Sequence, residues 1–269
     1  STFAVLFRTG HQRAGALAVA IPALLAALAF ERYLPRPEIF TELLAAVYLF
    51  ILFSFKHRGS RLVYALPLLQ VAWVNMEGLF ILGVVIVFAF IAGEWLAWKM
   101  PWPSSWKEPD AVSGKRWWTL FWVGAACVLA SFLNPYGVDG ALFPFTLYTR
   151  LGAGDEVFSA TIAELSPPPF FHFSVAHWPL FFYNVLAAVS VLSFVLNIRR
   201  LSFSRLLLFG GFLYLSILAR RNIPLFVCVA VPITAFNFSE FWGAVRPWAE
   251  SRLGVWVGRG RVALSAALI

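Results

Sequence analysis

The chain is written as long apolar runs separated by short polar clusters. Eight runs cover residues 14–30, 39–55, 62–74, 79–98, 117–133, 179–197, 205–219 and 223–236. Each is apolar around its whole circumference, whereas strands of a membrane barrel alternate polar and apolar positions. Helices apolar on every side belong in a large core or in lipid, and about 20 apolar residues are needed to cross about 30 Å of hydrocarbon. The pattern predicts an all-α, polytopic transmembrane helix bundle of about eight spans, with a truncated ninth beginning near Val255. Residues 1–269 read as a single transmembrane domain. The start at Ser1 and the apolar run 262–269 read as cuts through a longer polypeptide, so the chain is expected to be a fragment.

Composition agrees with this pattern. Hydrophobic residues make up 61% and charged residues 13%, with mean hydropathy +0.78. Soluble domains carry about 45–50% apolar and about 25% charged residues, and surface-to-volume scaling denies an aqueous fold of this size enough interior. The net charge of +8 does not point to nucleic acid, because the basic residues lie in short clusters between apolar runs. Cys127 and Cys228 each sit inside an apolar run, without metal-ligand spacing or a disulfide framework.

The positive-inside rule orients the bundle. With the start of the first span cytoplasmic, sixteen of the 21 Lys and Arg fall on the cytoplasmic side. Only Arg32, Arg36, Arg150, Arg220 and Arg221 fall outside. Trp95, Trp98, Trp102, Trp106, Trp117, Trp118 and Trp122 surround one cytoplasmic loop and read as an aromatic belt at the headgroup level. This frame places the polar site on the side away from the cytoplasm.

In this frame the unusual polar residues gather outside: Arg36, Glu38, Asn75, Glu77, the turn 134–137, Glu164, Arg220 and Arg221. Polar groups at membrane depth cost about 2.5–3.5 kcal/mol on insertion scales and are usually paired, cavity-facing and functional. The runs 62–74 and 206–219 span only about 20 Å at about 1.5 Å per residue, which sinks their outer turns below the surface and predicts a polar pocket there. Each candidate also has a structural reading. Asn75 and Gly78 suit helix ends, and Glu77 suits the cap of the following helix. Arg36 and Glu38 suit a surface pair, and Asn134-Pro135-Tyr136-Gly137 suits a turn. Glu42 reads as snorkelling or paired, and Glu94, beside Trp95, as snorkelling. Doubled Arg220-Arg221 on the disfavoured side is poorly explained by topology, and a guanidinium fork suits phosphate. The outer loop 134–178 is long enough to be functional and is expected to carry short interfacial helices, one near 142–151, roofing the pocket. His172 and His177 have no nearby carboxylate, so no metal site is assigned. No cofactor motif is present, and a divalent ion is left open for the full-length protein.

Taken in order, the motifs resemble a known family. They run from Arg36-Pro37-Glu38 at a span start to the turn Trp73-Val74-Asn75-Met76-Glu77-Gly78. Asn134-Pro135-Tyr136-Gly137 follows, then Glu164 ahead of Ser166-Pro167, then Arg220-Arg221 before Ile223-Pro224-Leu225-Phe226. This order is similar to a bacterial polytopic membrane family related to C-type glycosyltransferases of the protein-mannosyltransferase and lipopolysaccharide-galacturonosyltransferase kind. The similarity covers roughly residues 36–236. Two departures stand out: the family carries His where this chain has Glu77, and the acidic first outer loop of such enzymes, with its catalytic Asp, would lie upstream of Ser1.

The resemblance implies transfer of a sugar from a polyprenyl-phosphate donor at the outer face. Cations would hold the phosphate and a carboxylate would take the acceptor's proton. The principal catalytic acid is expected outside the fragment. Arg36, Glu38, Asn75, Glu77, Glu164, Arg220 and Arg221 are then the candidate substrate-binding residues. The expected partners are the bilayer and the polyprenyl-phosphate-linked sugar. Two other classes stay open: a non-catalytic membrane scaffold or partner subunit, and a transporter of a lipid-linked or small polar substrate, since broken helices with polar turns are also a transporter device.

Overall fold

The computed structural model describes residues 24, 38–103, 110–152, 166–168 and 178–266. Among these the chain is helical throughout, without strands. Eight α-helices follow in order: α1 (Glu38–Arg58), α2 (Leu66–Met76), α3 (Ile81–Lys99), α4 (Lys115–Ala130), α5 (Gly137–Gly152), α6 (Trp178–Leu196), α7 (Phe203–Leu218) and α8 (Ile223–Ala266). Four segments are long and apolar enough to cross a membrane: Glu38–Arg58, Gly78–Lys99, Trp178–Leu196 and Arg220–Val245. Phe203–Leu218 is apolar but shorter. The run 14–30 apart from Leu24, together with Arg36, Glu164, His172 and His177, lies outside the described residues.

Local chemistry sets several helix ends. α1 carries Glu38 in its first turn and Lys56, His57 and Arg58 in its last, matching the helix dipole at both ends. It stops at Gly59, whose φ of 65° is a left-handed conformation that glycine adopts without strain, and whose N–H returns to Phe55 O at 2.9 Å. A 3-10 turn, Arg61–Ala65, capped by Ser60 Oγ accepting from Leu62 N, then leads into α2. This turn corrects the expectation of a short hairpin arm. A 3-10 helix rises about 2.0 Å per residue, so residues 61–76 reach about 26 Å rather than about 20 Å.

Two other differences concern boundaries. The surface helix of the outer loop runs over Gly137–Gly152 with Pro144 inside it, starting earlier than 142. The ninth element expected near Val255 is no separate helix, since Ile223–Ala266 is one helix of 44 residues. The helix continues through Pro247 and through the glycines at 243, 254, 258 and 260.

Packing is built on a closed ring in which α1 lies against α3, α3 against α7, α7 against α8, and α8 against α1. α2 and α4 pair on one flank, on α1 and α3 respectively, and α6 covers α8 on the other. Rings from all four ring helices meet in the interior. Phe53 meets Phe90 at 5.8 Å and Phe236 at 5.4 Å, and Phe209 meets Phe226 at 5.7 Å. Between helices that lipid already surrounds, such dispersion contacts and close backbone approach are the main attraction. The closest approach is at Gly93 on α3, where a Cβ would collide with the Ser204 backbone at the start of α7.

Candidate functional site

The two ends of this ring are chemically different. At the end carrying Glu38, a small, shallow cleft is lined by Glu38, Thr41 and Glu42 of α1, Leu79, Arg221 and Asn222, and Leu225 of α8. Four segments supply these groups. Glu38, Thr41 and Glu42 share one face because residues three and four apart are neighbours on a helix. Arg221 and Asn222 come from the 3-10 turn Arg220–Asn222 joining α7 to α8.

Glu77 joins the site through Thr41. Its backbone N–H closes α2 on Trp73 O at 3.1 Å. Its Oε2 accepts from Leu79 N at 3.0 Å and also from the Thr41 hydroxyl. Trp73 Nε1 donates to Thr41 Oγ1 at 3.2 Å from the buried side. The capping reading of Glu77 therefore holds geometrically, and the same carboxylate is also pinned against the cleft wall. Deeper in, Tyr48 Oη donates to Gln70 Oε1 at 2.8 Å, and Gln70 Nε2 donates to Phe80 O and Ser131 Oγ. These buried groups are all satisfied and fix α2 against α1, α3 and α4.

The polar lining of the cleft is, by contrast, under-partnered. Among the described residues, Glu38, Glu42 and Arg221 make no side-chain hydrogen bond or salt bridge. Arg220 donates its backbone N–H to Ser166 O at 3.1 Å, and its buried Nε has no hydrogen-bond partner among the described residues. Asn222 uses its amide nitrogen to cap Leu215 O at 2.8 Å.

Of the candidate residues, the structure brings Glu38, Glu77, Arg221 and the adjoining Arg220 to one end of the ring. Asn75, two residues before Glu77, is at the same end of α2 but does not line the cleft. Its exposed amide bonds Val71 O at 2.7 Å and Leu133 O at 2.9 Å, which ties α2 to the turn after α4. Asn134 is likewise absorbed by its own turn, donating to Ser131 O and Gly137 O and accepting from Tyr136 N. Thr41 and Glu42 are lining residues that the sequence did not single out as a site, although their spacing from Glu38 carried the signal. Among the described residues no group of three or more His, Cys, Asp or Glu is placed to hold a metal ion.

The opposite end is closed by charge. Lys56 Nζ meets Glu94 Oε1 at 2.5 Å with both side chains fully buried. Ser204 Oγ donates to the same carboxylate at 2.6 Å, and Val112 N reaches its other oxygen at 2.7 Å. Arg205 bonds Glu240 and Asn237, and Asn197 also donates to Glu240. Arg116 donates to Phe55 O and Lys56 O at the end of α1. Glu94 therefore does not snorkel. Its position one turn from the helix end suggested escape to water, but an opposite charge on α1 and a serine on α7 reach it first. Outside this plug lie the clustered indoles, Trp98–Trp117 at 6.2 Å and Trp117–Trp118 at 5.1 Å, with Lys99 Nζ over the Trp98 ring at 4.2 Å.

No protein family, curated protein or solved structure matches the chain.

Proposed function

We propose that the protein is a membrane glycosyltransferase-like protein whose outer cleft holds the phosphate end of a polyprenyl-phosphate-linked sugar. The observation that supports this best is Arg221, a guanidinium without an ionic partner among the described residues, set in a cleft opposite Glu38 and Glu42. A half-buried guanidinium with open donors suits a phosphate oxygen pair. The cleft is small and shallow, so in this reading only the polar end of the ligand reaches it and the lipid tail lies along the apolar helix surfaces.

In this reading the acceptor oxygen attacks the anomeric carbon. Its bond to the sugar forms as the sugar–phosphate bond breaks, and a carboxylate takes the acceptor's proton. Arg221 stabilises the charge that collects on the departing phosphate. Glu77, held by Thr41 and Leu79 N, keeps its other oxygen available among the described residues. We read the chain as crossing a bacterial inner membrane about eight times, with the cleft periplasmic, on the strength of the Lys and Arg asymmetry. A transporter reading draws less support, because the inner end is filled by the Lys56–Glu94 pair and its serines.

The test is sugar transfer from a radiolabelled polyprenyl-phosphate donor, in membranes holding the full-length protein. Arg221→Ala is expected to lower transfer at least a hundredfold, in line with loss of a donor to a developing oxyanion, and Glu77→Gln at least tenfold. Undiminished transfer in both variants would remove the cleft from the chemistry.

A further inference from the structure

Resting on the reading of Arg221 as a phosphate ligand, we infer that the cleft selects a ligand carrying a primary ammonium group beside its phosphate. The lining holds two carboxylates, Glu38 and Glu42, against one guanidinium, Arg221. Widening the circle to Glu77, held on the lining residue Thr41, and to Arg220, next to Arg221 in the chain, gives three carboxylates against two guanidiniums. Either way one carboxylate is in excess among the described residues. None of Glu38, Glu42 and Arg221 is neutralised by a salt bridge among the described residues.

A ligand that brings only phosphate leaves this excess in place and adds its own negative charge. Like charges confined to one small cleft repel one another strongly, and that repulsion opposes the single Arg221 contact. A ligand that also brings an ammonium group reverses that balance. The ammonium has three donors, and Glu38 and Glu42, four residues apart on one face of α1, present acceptors side by side. Arg221 faces them from the α7–α8 turn and takes the phosphate oxygens. The apolar wall of Leu79 and Leu225 suits the short carbon segment between the two charges. Two sources carry this chemistry: an ethanolamine-type phospholipid headgroup, and an amino sugar joined to phosphate.

Binding to the purified full chain in phosphate-free detergent solution tests this without requiring turnover. The probes are dihexanoyl phosphatidylethanolamine and its N-acetyl derivative, and glucosamine 1-phosphate and N-acetylglucosamine 1-phosphate. Within at least one pair the amine is expected to bind at least tenfold more tightly than its acetylated twin, and the pair with the stronger amine identifies the source. In Glu42→Gln and in Glu38→Gln that ratio is expected to fall below threefold. Equal binding of the twins in both pairs, still lost in Arg221→Ala, overturns the ammonium inference and leaves the phosphate reading standing. Failure of all four probes to bind overturns both.

Discussion

Lys56 and Glu94 are the residues whose environment departs most from what their types suggest. Both are fully buried; Ser204 of α7 reaches both, and Val112 N from the loop before α4 reaches Glu94. Breaking one side of such a pair leaves an uncompensated buried charge, at about 3–5 kcal/mol, whereas replacing both partners with apolar groups is often neutral or stabilising. Lys56→Met is therefore expected to destabilise strongly, and adding Glu94→Leu to recover most of the loss. Denaturant titration of the purified protein reads the three stabilities, and additive losses in the double variant would contradict the pairing. At this scale the sequence was least legible. Glu94 looks like any charge near a helix end until Lys56, 38 positions away, is placed beside it. Glu42 looks like a surface acid until the α7–α8 turn faces it. Glu77 was legible because two local signals, helix end and helix start, meet at one residue.

At the scale of elements, apolar run length and turn chemistry located the helices well, because those are local properties. What run length could not supply was rise per residue. The 3-10 turn Arg61–Ala65 lengthens the arm before the Glu77 turn, and its only sequence trace is Ser60 followed shortly by Pro67. The pairing of α3 with α7 was equally hidden, since Gly93 carries no periodicity of its own. Its packing nevertheless sets the ring, because a side chain there meets backbone that cannot rotate away. Gly93→Ala is expected to cost about 1–3 kcal/mol as an overpacking change, read as a lower melting temperature. By contrast Gly210→Ala on α7, where nothing lies within contact range, should be neutral or mildly stabilising. Equal effects of the two would argue against close α3–α7 approach.

For the whole molecule, the separation into a basic, closed end and an acidic, open end follows from where charge sits along each helix. The orientation can be checked directly. In a background of Cys127→Ala and Cys228→Ala, exposed Tyr136→Cys should react with an impermeant maleimide in intact cells, and exposed Ser113→Cys only after permeabilisation. The reverse pattern would turn the cleft towards the cytoplasm and remove the donor assigned to it.

The Lys56–Glu94 pair also bears on how the chain reaches lipid during synthesis. A lone lysine near the centre of an inserting helix disfavours its release by about 2.5–3.5 kcal/mol, though less near an end. The carboxylate that neutralises it is made 38 residues later, and the serine beside that carboxylate comes more than a hundred residues after that. α1 is then best retained beside the insertion machinery until α3 emerges, so α1, α2 and α3 enter the bilayer as one unit. The same contact that seals the finished bundle would act, earlier, as the signal that a helical hairpin is complete enough to let go.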